Sequence, residues 1–452
     1  MRFKHILFGI ILTISLSFSC QQKEKKIRMH IPDSLVNISY QKCSGDISQS
    51  YWIAVPPGRN SSEQLPLVIA FDPHGDGKLA VSSVIGAVTD LGYMVVGSNV
   101  IRNGYENIEN AFAIMTADIF KRFNVNRQRI YVAGFSGGGR FAQIFSQMYP
   151  DTKAVISIGA GSVFNPSAEP LNKIPILFLA GNEDFNYMEI QNSVENLKAM
   201  GLLSYFFEFG GKHEWPERKI MDEALLWFEF DNCRRNKGRS NDPLIKNYRE
   251  KIIQKAEELE SDHEMLQACQ EYEKGITFLS GLVNTKSLSK KAESLKGSDD
   301  YKGQMSRKQR AINLEIRLQQ GYIQAFDLKD TIWWSSEIRN LDRELKEEDD
   351  AFLRAAYRRI KNFISMASYS YCNSALRSND LAKAGRLIDI YKTVDPVNPD
   401  AYYFSALYYS RSGQAELAKV HFRKAIELGF NEFNKASGEL PPEIYKSGIS
   451  KE

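Results

Sequence analysis

The run Ala133-Gly134-Phe135-Ser136-Gly137-Gly138-Gly139 sets a serine in the spacing G-x-S-x-G. A serine hydroxyl attacks a carbonyl carbon only when a base takes its proton. The chain has six histidines, and His213 alone follows Ser136 within the same stretch of alternating strands and helices. It lies in Gly210-Gly211-Lys212-His213-Glu214-Trp215, a glycine-rich loop suited to delivering a side chain. A base in turn needs an acid to orient it. Asp184 closes Gly181-Asn182-Glu183-Asp184, a turn directly after an apolar run, with Glu183 as the fallback. An oxyanion formed on the substrate needs donors. Gly137, next after the serine, offers one backbone N–H. The loop Asp72-Pro73-His74-Gly75-Asp76-Gly77 offers a second, from Gly75 or Asp76, with His74 shaping the loop rather than acting as a base. No CxxC and no Cys/His cluster occurs, so no metal and no cofactor is expected.

These residues need a frame to hold them. Tyr51 to Val55 alternates like an edge strand and stops at two prolines. Leu67 to Phe71, Tyr93 to Gly97, Arg129 to Ala133, Ala154 to Ile158 and Ile176 to Ala180 are short apolar runs, as strands buried on both faces of a parallel sheet are. Helical periodicity fills Asn107 to Phe123, Gly138 to Met148 and Met188 to Met200; a last strand, Ser204 to Phe209, precedes a last helix, Glu217 to Phe230. The expected fold is therefore α/β, a doubly wound, mostly parallel sheet. The serine then sits where a strand reverses sharply into a helix, which lifts its hydroxyl clear of the sheet.

Beyond about Asn241 the strand runs stop. Amphipathic stretches at Pro243 to Leu282, Ser306 to Leu328 and Glu337 to Arg377 predict an all-α continuation, with Lys286 to Gly303 as a long loop or helix break. Taking Gly413 as the turn of a 34-residue helix pair puts Tyr402, Ala406, Tyr409, Ala418, Phe422 and Ala425 at tetratricopeptide signature positions. One period earlier, Cys372, Asn379, Ala384, Ile388 and Pro396 fall on matching positions, so the C-terminal part resembles tetratricopeptide repeats, with the helices from Ser306 onward as degenerate units.

From about Val36 to Cys233 the elbow, the acid turn, the histidine loop and the glycine loop, in the order Ser136, Asp184, His213, resemble the α/β-hydrolase superfamily. Within it the chain looks most like the esterase, dienelactone-hydrolase and polyhydroxybutyrate-depolymerase-like groups. The resemblance implies a carboxylic-ester hydrolase working through an acyl-enzyme on Ser136. A serine peptidase on the same fold, and a silent hydrolase domain in an interaction protein, are the alternatives. Ester-type small molecules or glycans are the implied substrates, and the repeats are a candidate surface for a protein partner. The short spacing between the last strands leaves little room for a lid, so an open or shallow cleft is expected.

Charge excludes one partner class. The 452 residues carry a net +3, a balance that argues against nucleic acid as the main partner, since phosphate binding needs a concentrated basic face. Arg234, Arg235, Lys237 and Arg239 are expected to be a solvated linker. At the N-terminus a basic start and the apolar run Ile6 to Phe18 read as a signal peptide over 1–19. Cys20 follows small residues as in a bacterial lipoprotein cleavage site, which it resembles. That implies an acylated Cys20, a tether over 20–35, and an exported protein held at the periplasmic or cell-surface face of a membrane. The expected organisation is then a hydrolase domain over 36–233, a helical linker region over 234–305 and a tetratricopeptide-like domain over 306–435. In an exported chain Cys43 and Cys233 could pair, or remain buried thiols.

Overall fold

The computed structural model describes residues 31–58, 62–164, 173–236 and 243–449. The signal-like segment, Cys20 and most of the expected tether lie outside them. Eight strands form one sheet: β1 (Ile38–Lys42), β2 (Ser50–Ala54), β3 (Leu65–Phe71), β4 (Met94–Ser98), β5 (Val125–Phe135), β6 (Thr152–Ile158), β7 (Ile176–Gly181) and β8 (Ser204–Phe209). Their order is β1-β2-β4-β3-β5-β6-β7-β8. β1 and β2 run antiparallel at one edge, and all pairings from β4 to β8 are parallel. This is the α/β-hydrolase architecture. Every residue of β3, β4 and β7 is buried, as their unbroken apolar runs require. β1 has no apolar run, being half-exposed at the edge, which is why its polar sequence ISYQK gives no strand signal.

Six helices belong to the sheet: α1 (Gly77–Ser83), α2 (Gly86–Thr89), α3 (Ile108–Arg122), α4 (Gly137–Met148), α5 (Tyr187–Ala199) and α6 (Arg218–Arg235). Gly77 to Ser83 is thus a helix, N-capped by the Asp76 carboxylate, which accepts from the Leu79 amide at 2.9 Å. Arg234 and Arg235 are not a linker. They end α6, Arg234 lying over the Trp227 ring and donating to the Phe278 carbonyl at 3.0 Å, and Arg235 pairing with Asp231. Basic residues in a last turn also suit the negative end of the helix dipole.

The chain continues as α7 (Pro243–Ser261), α8 (Met265–Leu279), α9 (Lys286–Gly297), α10 (Asp299–Leu328), α11 (Thr331–Glu347), α12 (Ala351–Arg377), α13 (Leu381–Val394), α14 (Pro399–Arg411), α15 (Ala415–Glu427), α16 (Phe433–Glu439) and α17 (Pro442–Ile449). One apolar core runs from the sheet face through α6 into α7, α8 and α9, where Tyr248 stacks on Phe278 and Phe230 packs against both. A separate core joins α10 to α17.

Lys286 to Gly303 is helix, not loop. Leu288, Ala292 and Leu295 form a buried stripe at helical spacing despite the Ser/Lys-rich composition. The only break is Ser298, whose hydroxyl accepts from the Tyr301 amide and caps α10. Cys43 and Cys233 are both buried, and no disulfide joins them. Among the described residues no helix is long and apolar enough to cross a membrane.

Candidate active site

β5 carries the chain up the middle of the sheet and α4 leaves it at once. The reversal leaves Ser136 with φ 53° and ψ −123°, a backbone conformation costing a side-chain-bearing residue on the order of 1–3 kcal/mol. Its amide donates to the Ile158 carbonyl at 2.7 Å, which helps hold that geometry. α4 packs so closely that a Cβ on Gly138 would overlap the Phe71 carbonyl, and one on Gly134 would overlap the Gly138 carbonyl. The sequence spacing of glycines is thus a spacing of backbone contacts.

The structure brings Ser136, His213 and Asp184 together. Nε2 of His213 lies 2.9 Å from Ser136 Oγ, and Nδ1 lies 2.9 Å from Asp184 Oδ1. These are ordinary hydrogen-bond lengths. The Asp184 side chain is 1% exposed and that of His213 17%, so the pair sits in a poorly solvated setting. Asp184 Oδ1 also accepts from the Asn186 amide at 2.8 Å, while its own amide donates to the Gly181 carbonyl at 3.0 Å. The imidazole is flanked by Phe135 and Phe185, with ring centroids 4.7 and 4.3 Å away. Glu183 does not touch the histidine; it pairs with Arg358.

Gly137 opens α4, where unpaired N–H groups gather and the helix dipole favours negative charge. The two amides weighed in the loop after β3 are not equivalent. That of Gly75 donates to the Asp72 carbonyl at 3.1 Å within a tight turn, which commits it to that bond.

Several contributors carried no usable sequence signal. Asp72, 2% exposed, accepts from the His74 amide at 2.9 Å and from Trp215 Nε1 at 3.0 Å, tying the glycine loop to the histidine loop. Asn103 has its side-chain amide against Gly137, where a Cβ would overlap Asn103 Oδ1.

The C-terminal helices do not trail away from the sheet but reach both loops that flank Ser136. On one side Arg358, Arg359 and Asn362 of α12 meet the acid turn. On the other, Glu432 beside α16 lies 3.5 Å from Nδ1 of His74. That contact raises the His74 pKa; the histidine first, then Lys435, pulls Glu432 down to about 2. No group of His, Cys, Asp and Glu suited to a metal ion occurs among the described residues.

No family model and no curated protein matches the chain. Among solved structures, a ferulic acid esterase aligns at 16% identity over 42% of this chain and 95% of its own, with TM-score 0.35. The S-formylglutathione hydrolase FrmB of Staphylococcus aureus aligns at 15% identity over 45% of this chain and 98% of its own, with TM-score 0.37. An acylaminoacyl peptidase of Pyrococcus horikoshii aligns at 17% identity over 43% of this chain and 41% of its own, with TM-score 0.34. Each is a likeness over less than half of this chain.

Proposed function

We propose that the protein is a serine hydrolase that cleaves carboxylic esters through an acyl-enzyme on Ser136. One observation carries the reading: the unbroken hydrogen-bonded chain from Ser136 Oγ through His213 to the buried Asp184. In the first half-reaction Ser136 Oγ bonds to the acyl carbon while its proton passes to His213 Nε2. Asp184 holds the imidazole in the needed tautomer and balances its charge. The substrate oxygen becomes an oxyanion facing the amides of Gly137 and Asp76. As the carbonyl re-forms, the alcohol leaves with the proton from Nε2. Water then repeats the sequence, its proton going to His213 and its oxygen to the acyl carbon, and Ser136 is restored.

Peptide-bond cleavage on the same site is the second reading. The ester reading is supported by the strands themselves, since every strand among the described residues belongs to the one sheet and none is left over for a β-propeller. The helix pairs α12–α13 and α14–α15 we read as tetratricopeptide-like. Their turns repeat: Asn379 at φ 56° and Gly413 at φ 75° stand one 34-residue period apart. Acylation of Cys20, with anchoring at a membrane surface, is the proposal for the N-terminus.

Turnover of short p-nitrophenyl esters, acetylated or feruloylated glycans and aminoacyl amides, compared between the wild type and Ser136→Ala, tests the reading. Ester turnover that vanishes in the variant is expected. Turnover of amides but not esters would transfer the protein to the peptidase class, and activity retained by the variant would end the serine mechanism.

A further inference from the structure

We propose that Arg359, on a helix outside the sheet, is a positioning residue for the reaction centre, fixing the turn from which Asp184 reaches His213. The inference rests on the serine-hydrolase reading above. Asn182 and Glu183 immediately precede Asp184, and α12 holds the backbone carbonyls of both. Nη1 of Arg359 donates to the Asn182 carbonyl at 2.5 Å, and Nδ2 of Asn362 donates to the Glu183 carbonyl at 3.1 Å. The neighbouring Arg358 takes the Glu183 carboxylate. Just beyond the turn, the Arg359 guanidinium covers the ring of Tyr187 at 4.6 Å, at the start of α5. One side chain therefore grips the acid turn on both sides of Asp184.

The grip is rigid. Glu315 of α10, with no side-chain exposure, accepts from Nε and Nη2 of Arg359 at 2.6 to 3.1 Å, and Arg359 itself is only 5% exposed. A guanidinium presents five N–H groups in a fixed plane. The Nε/Nη2 edge of that plane is spent on Glu315, which fixes the plane and carries Nη1 to the Asn182 carbonyl. A contact serving only to glue two domains could fall on any surface. This one falls on the two peptide units that set where Asp184 begins. A shift of about 1 Å in such a group can cost on the order of 10²-fold in rate.

The test uses the full chain and the kinetics of phosphonylation by a fluorophosphonate. In that step Ser136 Oγ bonds to phosphorus, fluoride departs, and the serine proton passes to His213. Because Arg359→Ala would strand a buried Glu315, the variants are Arg359→Lys, the charge-free pair Glu315→Gln with Arg359→Met, and Asn362→Ala. The inference expects the maximal labelling rate of the charge-free pair to fall on the order of 10- to 100-fold. Asn362→Ala should fall less, Arg359→Lys should recover part of the loss, and the half-saturating probe concentration should stay within about two-fold throughout. Cooperative melting separates these effects from unfolding; if the charge-free pair does not fold, Arg359→Lys and Asn362→Ala decide. Folded variants that label at the wild-type rate would overturn the inference while leaving the hydrolase reading intact. A wild type that fails to label at Ser136 would instead overturn the hydrolase reading, and this inference with it.

Discussion

Ser136 carries backbone strain that only an over-determined surrounding can hold, and the surrounding consists of main-chain atoms packed against glycines. Gly138→Ala should therefore lower stability by about 3 kcal/mol, since backbone rather than a movable side chain occupies the space; chemical denaturation would measure it. At the reacting groups, Ser136→Ala and His213→Ala should each lower ester turnover by at least about 10³-fold, with Asp184→Asn lowering it on the order of 10⁴-fold, while far-UV circular dichroism and melting stay near wild type. Near-normal turnover by His213→Ala would show that the base lies elsewhere. These three residues were legible because each sits in a turn that follows a strand, so local glycines and apolar runs mark it. Asn182 and Arg359, 177 residues apart, share no such mark. Nor does spacing disclose that the Gly75 amide is held in a turn hydrogen bond to Asp72.

Elements were most readable where burial makes them monotonous. The apolar runs of β3, β4 and β7 announce a parallel sheet, whereas edge strand β1 is half-wet and silent. α9 misleads in the opposite way: its exposed faces are Ser and Lys, and a stripe of three residues is all the core requires. The helix turns are a stricter test of the repeat. After α12, the amides of Asn379 and Asp380 donate to the carbonyls of Leu376 and Ala375; after α14, Gly413 and Gln414 donate to Ser410 and Tyr409 in the same pattern. Both turns need a left-handed residue, which glycine adopts without penalty. Gly413→Ala should thus cost about 1 kcal/mol, and Asn379→Gly should be neutral or stabilising by a few tenths of a kcal/mol. Paired denaturation curves should show a loss for Gly413→Ala and none for Asn379→Gly; equal destabilisation would mean the two turns are not equivalent.

Across the whole molecule, the helices past α9 stand as a wall against the two loops that flank Ser136, something no single segment of sequence discloses. The contact of His74 with Glu432 makes that wall sensitive to pH. The pKa of His74 is raised in the folded state, so its stabilisation is complete below about 6.5 and fades as pH rises through the raised value. Glu432 is lowered to about 2, so its share is complete above about 4.5 and fades toward that lower value. His74→Gln should therefore lower the melting temperature between about pH 4.5 and 6.5, by an amount that shrinks as the pH rises through the raised value. At 3.5 Å, with the His74 side chain 71% exposed, solvent screens the pair and the effect should be small and reduced by salt. A melting difference that does not shrink with rising pH would assign the effect to packing instead. Acylation of Ser136 is the central step of the proposed reaction. The most direct measurement is the intact mass and peptide map of the full chain, quenched in acid during turnover of p-nitrophenyl acetate. The account predicts one acetyl group per chain, on Ser136, absent from Ser136→Ala. Turnover with no adduct, or an adduct on another residue that persists in Ser136→Ala, would contradict it.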